Sequence, residues 1–195
     1  CGVCSRRDAD KLIEQGKVLV NGQVAGMGQQ VEETDTVQVG KKILQGKQTQ
    51  KVLAFYKPVG VTCTERDPHA EKKIMDMIRY PDRLTYAGRL DKDSEGLILL
   101  TNDGDLINAM MRGANRHEKE YIVKTDREIT PDFLEKMAKG IYLKDLDITT
   151  RECEIEQIGK FTFRIVLTQG VNRQIRRMCE ACGYRVKALK RIRIM

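Results

Sequence analysis

A chain of 195 residues holds one large domain, or a medium domain joined to a small one. Charged residues make up 32% of it against a usual ~25%, and the net charge of +7 points to an acidic partner, most economically nucleic acid. No apolar run approaches the ~20 residues of a membrane span, and six scattered cysteines with no short disulfide spacing or signal peptide exclude a secreted disulfide scaffold and fit a soluble, cytoplasmic protein. The charge is unevenly spread. From Arg164 to Met195 there are nine basic residues and one acidic one, Glu180, a balance of +8 that leaves −1 of the total for residues 1–163.

The chain starts at Cys1 without an initiator methionine, in mid-pattern, as a trimmed N-terminus would. Ser5 is placed to cap a helix from Arg6 to about Gln15, with Asp8 completing a capping box and Gly16 stopping it. Arg6, Arg7 and Lys11 give that helix a basic side. Lys17 to Val20 reads as a strand, Asn21-Gly22 as a tight hairpin turn, and Val37 to Val39 as a further strand. Gln45 to Gln50 is polar, aperiodic and contains Gly46, which suits a linker. Leu53 to Tyr56 is a strand leading into the turn Lys57-Pro58-Val59-Gly60, and Glu71 to Arg79 is expected to form a short helix with Ile74, Met75 and Ile78 inward.

Tyr86 to Leu106 then packs three acidic and two basic side chains before an apolar run, Leu97 to Leu100, that reads as a buried strand. The turn Asn102-Asp103-Gly104 ends it, and an amphipathic helix starts near Asp105. Asp91, Asp93, Glu95 and Gly96 follow D-x-D-x-E-G, the opening of a calcium loop. Such a loop needs a bidentate glutamate at its twelfth position, which here is Asn102. A polar loop held between hydrophobic elements is instead a place for chemistry.

Further on, Tyr121 to Thr125 is a strand, and Thr130 caps and Pro131 opens a helix with Phe133, Leu134, Met137 and Ala138 inward, ended by Gly140. Cys153 and Ile155, then Phe161, Phe163, Ile165 and Leu167, alternate about a turn at Gly159-Lys160. Asn172 is a fitting N-cap for a helix on which Arg173, Arg176 and Arg177 share one face and Ile175 and Cys179 the other. Cys1-x-x-Cys4 and Cys179-x-x-Cys182 mimic the halves of a zinc ribbon, but they lie at opposite ends of the chain. Cys179 and Cys182 continue an apolar stripe with Ile175 and Met178, so core packing is expected and no metal.

Gly88-Arg89-Leu90-Asp91 with the following DSEGLILLTNDGDL resembles the signature of RNA pseudouridine synthases of the RsuA/RluB/RluE/RluF group, and the likeness covers essentially all 195 residues. The resemblance implies that Asp91 is the catalytic nucleophile. Lys57-Pro58-Val59-Gly60 matches the motif that packs beside the active site, with Lys57 near the substrate. Lys119-Glu120-Tyr121 matches the motif whose tyrosine lies against the target uracil, and Gln174-Ile175-Arg176 the one whose arginine pairs with the catalytic aspartate. Leu189 matches the apolar contact beneath the base, while Arg89, Arg173 and Arg177 are expected to touch the substrate. SRRDADKLIEQGKVLVNG resembles an S4 RNA-binding domain lacking its first helix, so Arg6, Arg7 and Lys11 are expected on RNA. The chain stops at Met195, short of the family's usual C-terminal tail.

Uridine isomerisation breaks the bond from N1 to ribose and rejoins the uracil through C5, so no cofactor is implied. A carboxylate can attack or assist only while ionised, which an adjacent arginine favours. The base must be flipped out at a cost of a few kcal/mol, and the basic C-terminal stretch would hold phosphates. The expected fold is α+β: a small S4-like RNA-binding domain, residues 1–47, followed by a mixed, largely antiparallel-sheet catalytic domain, residues 48–195. RGANRHEKEY and RRMCEACGYRVKALKRIRIM are most similar to the RluF branch, which implies a monomer acting on large-subunit (23S) ribosomal RNA. The alternatives are a synthase for transfer RNA and a non-catalytic S4-type RNA-binding factor.

Overall fold

The computed structural model describes residues 3–44, 49–65, 67–112 and 116–194. They fall into two compact units, Cys1–Lys51 with Tyr80–Arg83, and Val52–Arg79 with Leu84–Met195.

The small unit opens with α1, Arg6–Glu14. Its cap is reciprocal: the Ser5 Oγ accepts from the Asp8 amide at 3.2 Å and donates to the Asp8 carboxylate at 2.6 Å. Strands β1 (Val18–Val20), β2 (Gln23–Val24), β3 (Val37–Val39) and β4 (Lys42–Ile43) pair in the order β2-β1-β3-β4. Asn21 and Gly22 join the first two with φ of 52° and 82°, the paired positive values that a two-residue hairpin turn needs. The Asn21 side chain also ties the hairpin to the approach to β3, accepting from the Thr36 amide and donating to Asp35. Val18, Val20 and Ala25 form the core, with Leu12 and Ile13 of α1 packed against it. The expected linker begins at Gln45, and residues 45–48 lie outside the described residues.

The larger unit is built on strands β5 (Val52–Lys57), β6 (Thr85–Ala87), β7 (Glu95–Thr101), β8 (Lys119–Thr125), β11 (Glu154–Gly159), β12 (Thr162–Leu167) and β13 (Val186–Ile194). Between β8 and β11 lies a small separate hairpin, β9 (Tyr142–Leu143) and β10 (Ile148–Thr149). The order is β11-β12-β8-β13-β7-β5, with β6 also on β7. Among the described residues, β13 and β7 are the paired strands that run parallel and the other pairs are antiparallel, so the sheet is mixed and largely antiparallel. That parallel pair joins the active loop's strand to the C-terminal strand. It does so at Gly96, whose φ is 113° and where a Cβ would lie 2.2 Å from the Arg191 carbonyl oxygen.

Helices α2 (Gly104–Met111), α3 (Pro131–Ala138) and α4 (Gln174–Ala181) complete the unit. Phe133 and Met137 of α3 and Ile175, Met178 and Cys179 of α4 share one core with Val123, Phe163, Ile165 and Leu189 from the sheet. Phe133 meets Phe163 edge-on at 5.4 Å and Tyr184 at 4.2 Å. Cys179 is fully buried there, and desolvation pushes its thiol up to about 12, as befits a small hydrophobe.

Three expected elements differ. Glu71 to Arg79 forms only a 3-10 turn, Ile74–Met77, because Thr62 bonds to the Lys72 carbonyl and the Ile74 amide and bridges Lys73, spending backbone groups a helix would need. The β11–β12 turn falls at Lys160-Phe161, one residue later than read, so Phe161 belongs to the turn and is exposed while Phe163 and Ile165 are buried. Asn172 is not the cap of α4. Arg173 occupies that position at φ 51°, ψ 31°, and the amide of Val171 is satisfied instead by the Gln174 side chain.

Candidate active site

The loop between β6 and β7 carries Asp91 and is held from three sides. Leu90 is buried and its amide lies 3.5 Å from the Cys63 Sγ. The Ser94 amide bonds back to the Asp91 carbonyl at 3.1 Å, closing a turn, and the Gly60 amide donates to the Lys92 carbonyl at 2.7 Å. The last contact sets the proline turn directly beside the loop.

In front of Asp91 is a cavity of about 460 Å³. Its wall brings together Arg89, Asp91, Tyr121, Arg173, Arg176 and Leu189, six residues singled out in the sequence from four separate segments. Tyr121 comes from β8 and Leu189 from β13, two strands of one antiparallel pair in which Arg191 stands across from Tyr121 and Leu189 two residues before it. Burial raises the Tyr121 phenol, and the positive charge of Arg191 opposes that.

Two expected residues are not on this wall. Lys57 is fully buried, and its Nζ donates to the Pro58 carbonyl at 2.9 Å and the Val61 carbonyl at 2.8 Å, stitching its own turn. Burial pulls its pKa down, while Cys63, Asp91 and Asp93 act against that. Its amine is thus bonded within its own turn, away from the cavity wall. Arg177 turns away to form an ion pair with Asp145, and its Nε donates to the Asn172 carbonyl at 3.0 Å. Arg6, Arg7 and Lys11 lie exposed on α1 in the small unit.

The arginine pairing is also rearranged. Arg176 does not pair with Asp91: its Nη2 lies 3.3 Å from an Asp93 carboxylate oxygen and donates to the Asp93 carbonyl at 2.9 Å and to the Ser94 Oγ at 3.3 Å. Asp91 is reached instead by Nη1 of Arg173, at 3.6 Å. Burial works to raise the Asp93 carboxyl, but the hydrogen bonds of Arg173 and the charges of both arginines outweigh it and hold it below the ordinary aspartate range. The acidic spacing that suggests a calcium loop thus serves a guanidinium. Glu95 leaves the cluster to accept from the Tyr56 hydroxyl at 2.8 Å.

Arg191 is the main residue the sequence did not single out. It is 3% exposed, donates from Nε to the Leu97 carbonyl at 2.7 Å and from Nη1 to the Arg89 carbonyl at 3.4 Å, and lines the cavity. Its Nη2 is buried without a hydrogen-bond partner. Strand alternation was the available signal, since Leu189 and Arg191 stand two apart on one face.

Most of the C-terminal basic residues are also committed. Arg164 pairs with Glu120 and Glu156, Arg193 with Glu118 and Glu120, and Arg173, Arg176 and Arg177 as above. With Arg191 buried, the remaining three are more lightly held: the Arg185 amide donates to Asp126 at 2.8 Å, the Lys187 charge acts on the same carboxylate, and Lys190 lies over the Tyr56 ring.

A single carboxylate facing a tyrosine, a leucine and a set of guanidiniums suits chemistry on a flipped uridine, and the wider comparison agrees. The chain belongs to the RNA pseudouridylate synthase family, which matches residues 51–181, and residues 2–37 match the S4 domain. It is an RNA pseudouridine synthase, an enzyme that isomerises uridine in RNA; a purely non-catalytic S4-type factor is set aside. Among its relatives, the dual-specificity RNA pseudouridine synthase RluF of Escherichia coli (strain K12) is 46% identical, over 100% of this chain and 67% of that protein. Ribosomal large subunit pseudouridine synthase B of Yersinia pestis is 35% identical, over 97% of this chain and 63% of its own length. A solved pseudouridylate synthase aligns with a TM-score of 0.72 at 26% identity, covering 99% of this chain and 84% of that one.

Proposed function

We propose that the chain modifies a uridine of large-subunit (23S) ribosomal RNA, with Asp91 as the reacting carboxylate. The observation that carries this is the position of Asp91 on the wall of the cavity that Tyr121 and Leu189 also line, within ion-pair reach of Arg173. A volume near 460 Å³ lies within the ~300–1,000 Å³ of small-molecule sites and is ample for one nucleotide turned out of its stack.

In that pose the side chains of Tyr121 and Leu189 take over the stacking that the base loses. Arg173 keeps positive charge beside Asp91 without saturating it. The Arg191 guanidinium, on the cavity wall beside Tyr121, is a donor that would answer negative charge on the uracil as its bond to ribose breaks. Arg89 contributes to substrate holding from the rim. Residues 1–47 act as the RNA-binding domain through Arg6, Arg7 and Lys11, and residues 48–195 as the catalytic domain.

The ribosomal substrate is supported by the relatives' names, one of which acts on the large ribosomal subunit. The dual specificity named for RluF favours a second RNA, for which transfer RNA is the candidate. One copy supplies Asp91, Tyr121, Arg173, Arg191 and Leu189 to the same cavity, which supports a monomer. No helix among the described residues is long and apolar enough to cross a membrane. A cytoplasmic site of action follows from the proposed substrate.

The test is a map of pseudouridine in RNA from cells lacking the protein. Loss of a site in 23S RNA is expected; losses confined to transfer RNA would reverse the order of the two substrates.

A further inference from the structure

The most heavily bonded acid of the loop is not the one on the cavity wall. Asp93 receives both prongs of Arg173, Nη1 at 3.1 Å and Nη2 at 2.9 Å, and Arg176 approaches it from the next turn of the helix at 3.3 Å. Among the described residues Asp91 has one ion-pair contact, at 3.6 Å, and that contact is with the same Nη1 of Arg173. Two carboxylates and two guanidiniums balance in charge, yet the strong bonds fall almost wholly on Asp93.

A bidentate guanidinium–carboxylate pair is among the stronger and more directional contacts a protein makes. If Arg173 forked onto Asp91, both oxygens of the reacting carboxylate would be tied up, and the fork would have to open before substrate could be met. Asp93 takes the fork instead, while the positive charge stays beside Asp91. The backbone supports the same view. Arg173 sits in the left-handed region at φ 51°, ψ 31°, uncommon for a residue other than glycine, and its side chain caps nothing. The bonds to Asp93 fix where that side chain points, and Arg176 locks the loop to α4 through the Asp93 carbonyl and Ser94.

We propose that Asp93 is a positioning residue for the isomerisation: it holds Arg173 and Arg176 so that Asp91 remains lightly paired and able to reach the substrate. This rests on Asp91 being the reacting carboxylate. Asp93 itself touches neither the base nor the ribose.

The full chain is assayed in single turnover on total RNA from cells lacking the protein, as parent, Asp91→Asn, Asp93→Asn, Asp93→Glu, Arg173→Gln and the Asp93→Asn/Arg173→Gln double variant. Asp93→Asn should lower the rate at saturating RNA by about tenfold or more while the half-saturating RNA concentration stays within about threefold. Asp93→Glu, which keeps the charge, should recover part of the loss. In the Arg173→Gln background the Asp93 change should add little, because its purpose is already gone.

A parental rate for Asp93→Asn overturns the proposal. So does a loss expressed only in half-saturation, or an equal loss with and without Arg173, since either marks a tether for RNA or for the fold. These outcomes leave Asp91 untouched as long as the parent is active and Asp91→Asn is not. An inactive parent, or an active Asp91→Asn, brings down the reading of Asp91 and the proposal together.

Discussion

Gly96→Ala is the substitution whose cost follows most directly from geometry. The residue has φ of 113°, and an added Cβ would lie 2.2 Å from the Arg191 carbonyl oxygen, 2.7 Å from its amide nitrogen and 2.9 Å from its carbonyl carbon. All three are backbone atoms of the paired parallel strand, so no flexible side chain can yield. Forcing a side chain into such a conformation costs about 1–3 kcal/mol, and overpacking adds about 1–3 kcal/mol more. The sum, roughly 2–6 kcal/mol, is a large share of the ~5–15 kcal/mol that stabilises a domain. For a chain of this size about 2–4 °C of melting temperature goes with each kcal/mol, so a fall of roughly 5–20 °C is expected by far-ultraviolet circular dichroism. Gly183→Ala separates the two contributions, because Gly183 has φ of 78° with open space around it. It should lose only the conformational part. The same displacement moves Arg191 and Leu189, so activity should fall at temperatures where Gly96→Ala is still folded. A Gly96→Ala protein that melts within ~2 °C of the parent, or no lower than Gly183→Ala, would refute the close approach of the two strands.

Lys57→Ala should destabilise by about 2–5 kcal/mol, since it opens a buried space and strands two carbonyls, with RNA affinity unchanged at temperatures where the fold holds; weaker RNA binding without lost stability would return Lys57 to the substrate. Asp93 is held below the ordinary aspartate range, so its pairs contribute fully above that range and are lost as pH falls through the folded-state value. Asp93→Asn should therefore melt below the parent at neutral pH, with the gap closing in acid, and a gap unchanged down to pH ~2 would contradict the pairing. Replacing Arg185, Lys187 and Lys190 together by glutamine should reduce the salt dependence of RNA binding by about two units of slope, as three released counterions on a single strand require. A steep salt dependence remaining in the triple variant would mean that the paired arginines also engage phosphate.

Legibility in the sequence followed the range of the interaction. Local chemistry was plain: Ser5 and Thr130 each accept from an amide three residues on, Asn21-Gly22 supplies the positive φ values of a tight turn, and each is where the pattern put it. Asp91, Tyr121 and Leu189 reach one cavity because strands β8 and β13 pair and the loop before β7 is anchored nearby. Their gathering was implied by family resemblance and not by spacing. What the sequence hid depends on contacts between distant segments. The choice of Arg176 between Asp91 and Asp93 turns on a rotation of α4 that begins with a left-handed Arg173, not with the Asn172 cap that the residue types favour. The helix read over Glu71 to Arg79 gave way to a bridge with Thr62. The +8 of the C-terminal stretch looked like a phosphate-binding surface, yet partners far off in sequence, among them Glu118, Glu120 and Asp145, neutralise much of it.

The most direct test of the central claim is Asp91→Asn. The change is nearly isosteric and removes only the carboxylate's charge and reactivity, with Arg173 still held by Asp93. Uridine-to-pseudouridine conversion is measured on RNA lacking the modification, alongside RNA affinity in the same buffer. Conversion should vanish while affinity and melting temperature stay close to the parent's. A variant that still converts uridine at a rate comparable to the parent would show that Asp91 is not the reacting group, and that the chemistry of this cavity belongs to another residue.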